Sequence, residues 1–190
     1  TLVFNMLNSL RRICNHPYLF LELPASEKIR EKLRIKPTDI KTFDHSGKLI
    51  ALKDLLNEMG FEDENEPSGQ HQSYGYTSNS NKILLFSRYK EVLDIVENLL
   101  LKRHFSRMQY LRIDGTVQST KRFDMVKKFN RDNNIKMLLM TTQVGGVGFN
   151  LHTANVVVMF DHDYNPMNDL QAIDRAHRIG QKNVLNVYRL

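Results

Sequence analysis

Arg175 and Arg178 stand three residues apart in the run Gln171-Ala172-Ile173-Asp174-Arg175-Ala176-His177-Arg178-Ile179-Gly180-Gln181. On a helix that spacing puts both guanidinium groups on one face. A rigid pair of such forks suits the charge that develops on a transferring phosphoryl group. Upstream, Thr141-Thr142-Gln143-Val144-Gly145-Gly146-Val147-Gly148 joins two hydroxyls to three glycines directly after an apolar run. A turn of this composition presents backbone N–H groups and hydroxyls to a phosphate. A dinucleotide-binding fingerprint would need glycine at position 151, where Leu151 stands.

The phosphate cradle that should accompany such arginines is missing from the sequence. No G-x-x-x-x-G-K-[ST] run occurs, and Gly47-Lys48 lacks both the upstream loop and a hydroxyl residue after the lysine. No Asp-Glu-x-His box follows an apolar strand either. The chain therefore carries arginines without the groups that hold β- and γ-phosphates or Mg²⁺.

The run from Gln171 to Gln181 resembles motif VI of the superfamily II helicases, in the form used by Swi/Snf-type DNA translocases. Five further blocks resemble that family in its order along the chain. They are Leu10 to Pro17, Ser46-Gly47-Lys48-Leu49, Lys82 to Arg88, Arg112-Ile113-Asp114-Gly115-Thr116, and Thr141 to Leu151. The resemblance implies a RecA-like C-terminal lobe of an ATP-dependent translocase on double-stranded DNA, with the first ATPase lobe as its partner in cis. It implies ATP and Mg²⁺ as ligands, bound mainly by that first lobe, so this lobe alone is expected to be inactive. Arg175 and Arg178 would complete the site, one of them as an arginine finger. Gly146, Gly148, Gln171 and Asp174 would lie toward the nucleotide.

The same resemblance implies DNA-backbone contacts by Ser87, Arg88, Gly115, Arg122, Thr141, Thr142, Gly145 and Tyr164. Such contacts position a protein without reading sequence. Tyr164 stands where the family usually has Trp, and a tyrosine offers less stacking area than an indole. Asp161-His162-Asp163 has the composition of a metal site, but the family has none there, and no metal ligand is assigned. The wording His162 to Ala172, together with Ser46 to Leu52 and Glu91 to Glu97, looks like the branch whose ATPase strips TATA-binding protein from promoter DNA. That branch implies a nuclear protein. A nucleosome remodeller of the same family would share every motif, and a non-catalytic interaction module is the alternative from another class.

The bulk properties agree with this reading without carrying it. The 190 residues suffice for one domain with a sizeable core, and a formal charge of +6 favours a polyanionic partner. Cys14 is the single cysteine, so no internal disulfide can form and a reducing compartment is expected. Cys14 with dispersed histidines does not supply the four ligands of a structural zinc site. No apolar stretch approaches a membrane span, and no signal peptide is visible. Thr1 at the start, and an ending at Leu190 directly after an apolar strand, lead to the expectation of a piece of a larger protein.

The elements that must position these residues follow from periodicity. Leu2, Val3, Met6, Leu7, Leu10, Ile13 and Cys14 recur at helical spacing, which predicts a helix with this row, Cys14 included, in the core. Residues 1–45 are read as a helical segment between ATPase lobes, and 46–190 as the second lobe. Ser46 is placed to cap a helix with Leu49, Ile50, Leu52, Leu55, Leu56 and Met59 on its apolar face, ended by Gly60. Residues 61–81 turn acidic and then rich in Ser, Gly, Asn and Gln, and read as a flexible insertion.

Beyond it, strands are expected over 83–86, 110–113, 137–140, 156–160 and 184–188, alternating with helices over 89–101, 120–130 and 168–178. That alternation predicts an α/β fold, a mostly parallel sheet flanked by helices and preceded by the helical segment. Ligands of such sheets bind at the carboxyl ends of the strands. Ser87, Asp114, Thr141 and Asp161 are all predicted to stand there.

Overall fold

The computed structural model describes residues 2–63, 81–145, 148–181 and 183–190. Five helices come first: α1 (Leu2–Asn15), α2 (Pro17–Leu21), α3 (Glu27–Leu33), α4 (Pro37–Ile40) and α5 (Gly47–Glu58). The sheet follows, with β1 (Ile83–Ser87), β2 (Gln109–Ile113), β3 (Ile135–Thr141), β4 (Val156–Met159) and β5 (Asn186–Arg189) in the spatial order β2-β3-β1-β4-β5. Every pairing is parallel. The connections carry α6 (Lys90–Ile95), α7 (Lys102–His104), α8 (Ser119–Arg131), α9 (Thr142–Gly145) and α10 (Pro166–Ile173). This is the α/β architecture the alternation predicts.

The central strands are buried on both faces, as parallel strands between helix layers must be. Ile83, Leu85, Met137, Leu139 and Val158 pack with α2, α5 and α6 on one side. Leu84, Phe86, Leu138, Met140 and Val157 pack with α8, α9 and α10 on the other. Each fully buried Leu or Phe here contributes about 1.5–3 kcal/mol relative to exposure.

Local chemistry sets the ends of α5. Ser46 Oγ accepts the N–H of Leu49 and donates to the Asn15 carbonyl, at 3.3 and 2.7 Å, so one hydroxyl caps α5 and ties it to α1. Gly60 has φ of +83°, and the Phe61 N–H returns to the Leu56 carbonyl at 3.0 Å. That is the left-handed glycine stop the sequence predicts.

Four expectations are corrected. The apolar row of α1 is not core: Leu2, Val3, Met6, Leu7, Leu10 and Ile13 are exposed, and so is Cys14. The polar stripe Asn8, Arg11, Arg12 and Asn15 faces the lobe instead, because the surface it meets is a polar strand end. Phe61 and Asp63 do not begin a loose insertion. Phe61 joins the α5 cluster, and buried Asp63 pairs with Lys53 at 2.7 Å and His104 at 3.1 Å. Asn81, at the far end, is buried and accepts the Asn155 amide at 2.9 Å. The remainder of the expected insertion, 64–80, lies outside the described residues.

The helix expected over 89–101 is not uniformly α. After α6 it widens into a π-helical stretch, Val96–Leu101, where Val96, Leu99, Leu100 and Leu101 are all buried. Three successive leucines need more of the circumference than one α-helical stripe provides. The last correction is the helix expected over 168–178, which stops at Ile173.

Candidate phosphate-facing site at the carboxyl ends of the strands

The early stop of α10 puts the two arginines in different settings. Asn165 caps the helix by accepting the Met167 N–H at 3.1 Å, and Pro166 stands at its first position. At the other end the Arg175 carbonyl accepts the Leu151 N–H at 3.0 Å, and the chain continues as turns. Ala172 and Ala176 are fully buried beneath. Arg175 is therefore not on an exposed helical face. It is buried, and its Nε donates to the Gly145 carbonyl at 3.2 Å. Arg178 is exposed. Burial, with the positive charge of Arg178 nearby, lowers the Arg175 pKa from its ordinary value, and Asp174 opposes this.

Gly145 is buried at the end of α9, and a Cβ there would stand 2.6 Å from Phe86 Cε1. The absence of a side chain is thus a packing requirement, and the residue reaches the surface only through its backbone. Thr141 ends β3 and is buried; Thr142 is buried too, and its Oγ1 has no hydrogen-bond partner among the described residues. Gly148, Gln171 and Asp174 are exposed. Gly146 lies outside the described residues.

Asp161, just after β4, organises a second group. Its Oδ2 accepts Ser87 Oγ at 2.6 Å and Asn15 Nδ2 at 3.0 Å, and its Oδ1 accepts the Arg88 N–H at 2.6 Å. Burial raises its pKa despite these donors and the nearby Lys48 ammonium. Burial likewise pushes the Lys48 amine down, and its Nζ donates to the Phe160 carbonyl at 2.7 Å. Ser87 is fully buried and spent on Asp161. Arg88 Nη1 lies 3.4 Å from Asp163 and its guanidinium 5.1 Å from the Tyr164 ring. The residues after Asp161 are structural in the same way: His162 Nδ1 meets Asp169 at 3.0 Å, and Asp163 accepts the Asn165 N–H at 3.0 Å. Tyr164 does not offer a bare ring, because the Arg11 guanidinium stacks 3.5 Å from its centroid.

A third group surrounds the carboxyl end of β2. Gly115 is exposed. The half-buried Arg122 folds back on its own loop, with Nε to the Val117 carbonyl at 2.7 Å and Nη2 to the Gly115 carbonyl at 3.3 Å. Arg112 joins Asp94, Glu97 and Asp114 at 2.6, 3.0 and 2.9 Å. Burial pushes the Asp114 carboxyl up, but hydrogen bonds from Thr116 and Arg112 outweigh it and its pKa is lowered. Sequence reasoning passed over Arg11, Arg12, Asn8 and Asn15, although their spacing of 3, 1 and 3 marks one helical face.

The arrangement supplies exposed or half-exposed guanidiniums, an unpartnered buried hydroxyl and strand-end backbone, all suited to phosphate oxygens. Among the described residues no group of three or more His, Cys, Asp or Glu could hold a metal ion. Among them, too, no helix is long and apolar enough to cross a membrane.

A family model of the helicase conserved C-terminal domain matches residues 70–180. The chain is 46% identical to the human "TATA-binding protein-associated factor 172", over 99% of this chain and 10% of that protein. It is 42% identical to the Saccharomyces cerevisiae "TATA-binding protein-associated factor MOT1", again over 99% of this chain and 10% of that one. The "ISWI chromatin-remodeling complex ATPase ISW2" of the same yeast is 37% identical, over 100% of this chain and 15% of that protein. This chain thus spans about a tenth of the length of the first two relatives. Among solved structures, the C-terminal part of the Fun30 ATPase domain matches with a TM-score of 0.64 at 29% identity, covering 96% of this chain and 59% of that one. The sheet and its flanking helices are accordingly RecA-like.

Proposed function

The chain belongs to the helicase C-terminal domain family, and from that premise we propose that it is the second ATPase lobe of a Swi/Snf-type translocase on duplex DNA. The observation that carries this reading is the division of labour between the arginines. Arg175 is anchored on the Gly145 carbonyl, and Arg178 is exposed beside it. A guanidinium held near a fixed neighbour can meet the charge of a transferring phosphoryl group without reorganising. Arg178 is the arginine finger in this reading, and Arg175 holds the neighbouring turn on Gly145. ATP is the substrate; the described residues face its phosphates through arginine and offer no Mg²⁺ ligand cluster. Both ATP and Mg²⁺ are therefore held mainly by a first lobe in cis, and this lobe by itself does not hydrolyse ATP.

Arg88 and Tyr164, with the Gly115 turn and the Thr141–Thr142 strand end, line the DNA side. Ser87 and Arg122 serve this surface indirectly, by fixing Asp161 and the Gly115 loop. Residues 1–45 form the segment between lobes, and 46–190 the lobe itself. Identity of 42–46% to TATA-binding protein-associated factors supports TATA-binding protein as the protein displaced, and a nuclear location. The lower identity to the ISWI ATPase makes nucleosome remodelling the second reading.

The test is release of labelled TATA-binding protein from promoter DNA by the full-length protein. ATP-dependent release that Arg178→Ala abolishes is expected. Release that proceeds equally without ATP would overturn the reading, and ATP-dependent sliding of nucleosomes without such release would favour the second.

A further inference from the structure

The polar stripe of α1 meets the lobe in an alternating stack of cations and rings. Arg11 lies 3.5 Å from the Tyr164 centroid, and Arg88 lies 5.1 Å from Tyr164 and 6.0 Å from Tyr89. Arg12 closes the row 5.0 Å from Tyr89. Hydrogen bonds fix the frame: Arg11 Nη1 to the His162 carbonyl at 2.6 Å, the Tyr164 hydroxyl to Asn8 at 3.2 Å, the Tyr89 hydroxyl to Asn8 at 3.3 Å, and Asn15 to Asp161 at 3.0 Å.

Three guanidiniums and two phenols thus share one surface at the carboxyl ends of β1 and β4. Among the described residues one of the three, Arg88, has a carboxylate partner there. Asp161 is buried and its oxygens are taken by Ser87, Asn15 and the Arg88 N–H. Asp163 meets only Arg88, at 3.4 Å. Lys48 adds further positive charge beside Arg11.

We infer that Arg11 and Arg12 of α1, together with Arg88, form a further contact for the backbone phosphates of a DNA duplex, so that the helical segment and the sheet grip one strand jointly. The rings hold each guanidinium in place, Arg11 at stacking distance, and a guanidinium so held can meet phosphate oxygens two at a time. Lysines would not be held in this way, and the row contains none. The inference rests on the DNA-translocase reading above and extends its DNA surface to α1.

The test is duplex binding by the full-length protein across a salt series. Arg12→Gln is expected to make the slope of log K against log salt shallower by about 0.9, the loss of one phosphate contact. Lys32→Gln on α3 should leave it as in the wild type. Wild-type binding with an unchanged slope in Arg12→Gln and in Arg11→Gln would overturn this inference alone, and a lowered melting temperature would then mark the stack as a helix clamp. A wild-type protein that leaves the duplex unbound would overturn the translocase reading and this inference with it. Equal affinity for polyglutamate would overturn the assignment to nucleic acid.

Discussion

Arg175 donates its Nε to the carbonyl of Gly145 across 3.2 Å, which joins the turn after β3 to the end of α10. Breaking that link leaves a buried carbonyl short of a donor. Arg175→Ala is therefore expected to destabilise the lobe by about 1–3 kcal/mol. Arg178→Ala removes an exposed side chain and should stay within about 0.5 kcal/mol. Urea unfolding of the two variants measures the difference. Equal stabilities would mean that Arg175 anchors nothing.

Gly145→Ala places a methyl 2.6 Å from Phe86 Cε1, inside a sheet face where Phe86 is fully buried. The ring cannot swing away without disturbing Leu138 and Met140, so overpacking should cost about 1–3 kcal/mol. Phe86→Leu in the same chain should recover part of that loss. A Gly145→Ala lobe as stable as the wild type would remove packing as the reason for the glycine.

His16 is buried between α1 and α2. Its Nδ1 accepts the Tyr18 N–H at 3.2 Å and its Nε2–H donates to the Thr42 carbonyl at 2.9 Å. Burial lowers its pKa from 6.5, with Thr42 opposing and the His45 and Lys41 charges adding. Below 6.5 the unfolded chain takes up a proton that the folded one refuses, so stability falls as pH falls through that value. Above 6.5 the residue contributes no pH dependence. Thermal melting between pH 7.5 and 5.5 should show a shallower acid-side decline in His16→Asn than in the wild type. Identical slopes would show that His16 takes its proton in the folded state.

What the sequence made legible depended on how much of a residue's surroundings its neighbours reveal. β1, β3 and β4 were readable because burial on both faces leaves an unbroken apolar run. The cap at Ser46 and the stop at Gly60 were readable because both are local. The face of α1 was not. Its apolar row and its polar stripe recur at the same helical spacing, and the choice between them lies with the surface that α1 meets. That surface holds Asp161, the His162 carbonyl and two tyrosines, all distant in sequence. The end of α10 was equally hidden: the Arg175 and Ala176 N–H groups turn to carbonyls three residues back and the Arg175 carbonyl accepts Leu151, while the residues themselves favour a longer helix. Phe61 and Asp63 were misread because one aromatic and one buried ion pair stand at the head of a polar stretch. The positions of the arginines were legible, but which of them is exposed was not.

In the proposed mechanism Arg178 reaches the transferring phosphoryl group while Arg175 holds its turn in place. ATP hydrolysis by the full-length protein, with and without duplex DNA, tests it directly beside Arg178→Ala. DNA-stimulated hydrolysis is expected in the wild type, with a loss of roughly 10³- to 10⁵-fold in the variant and DNA binding retained. Hydrolysis by Arg178→Ala at the wild-type rate would contradict it.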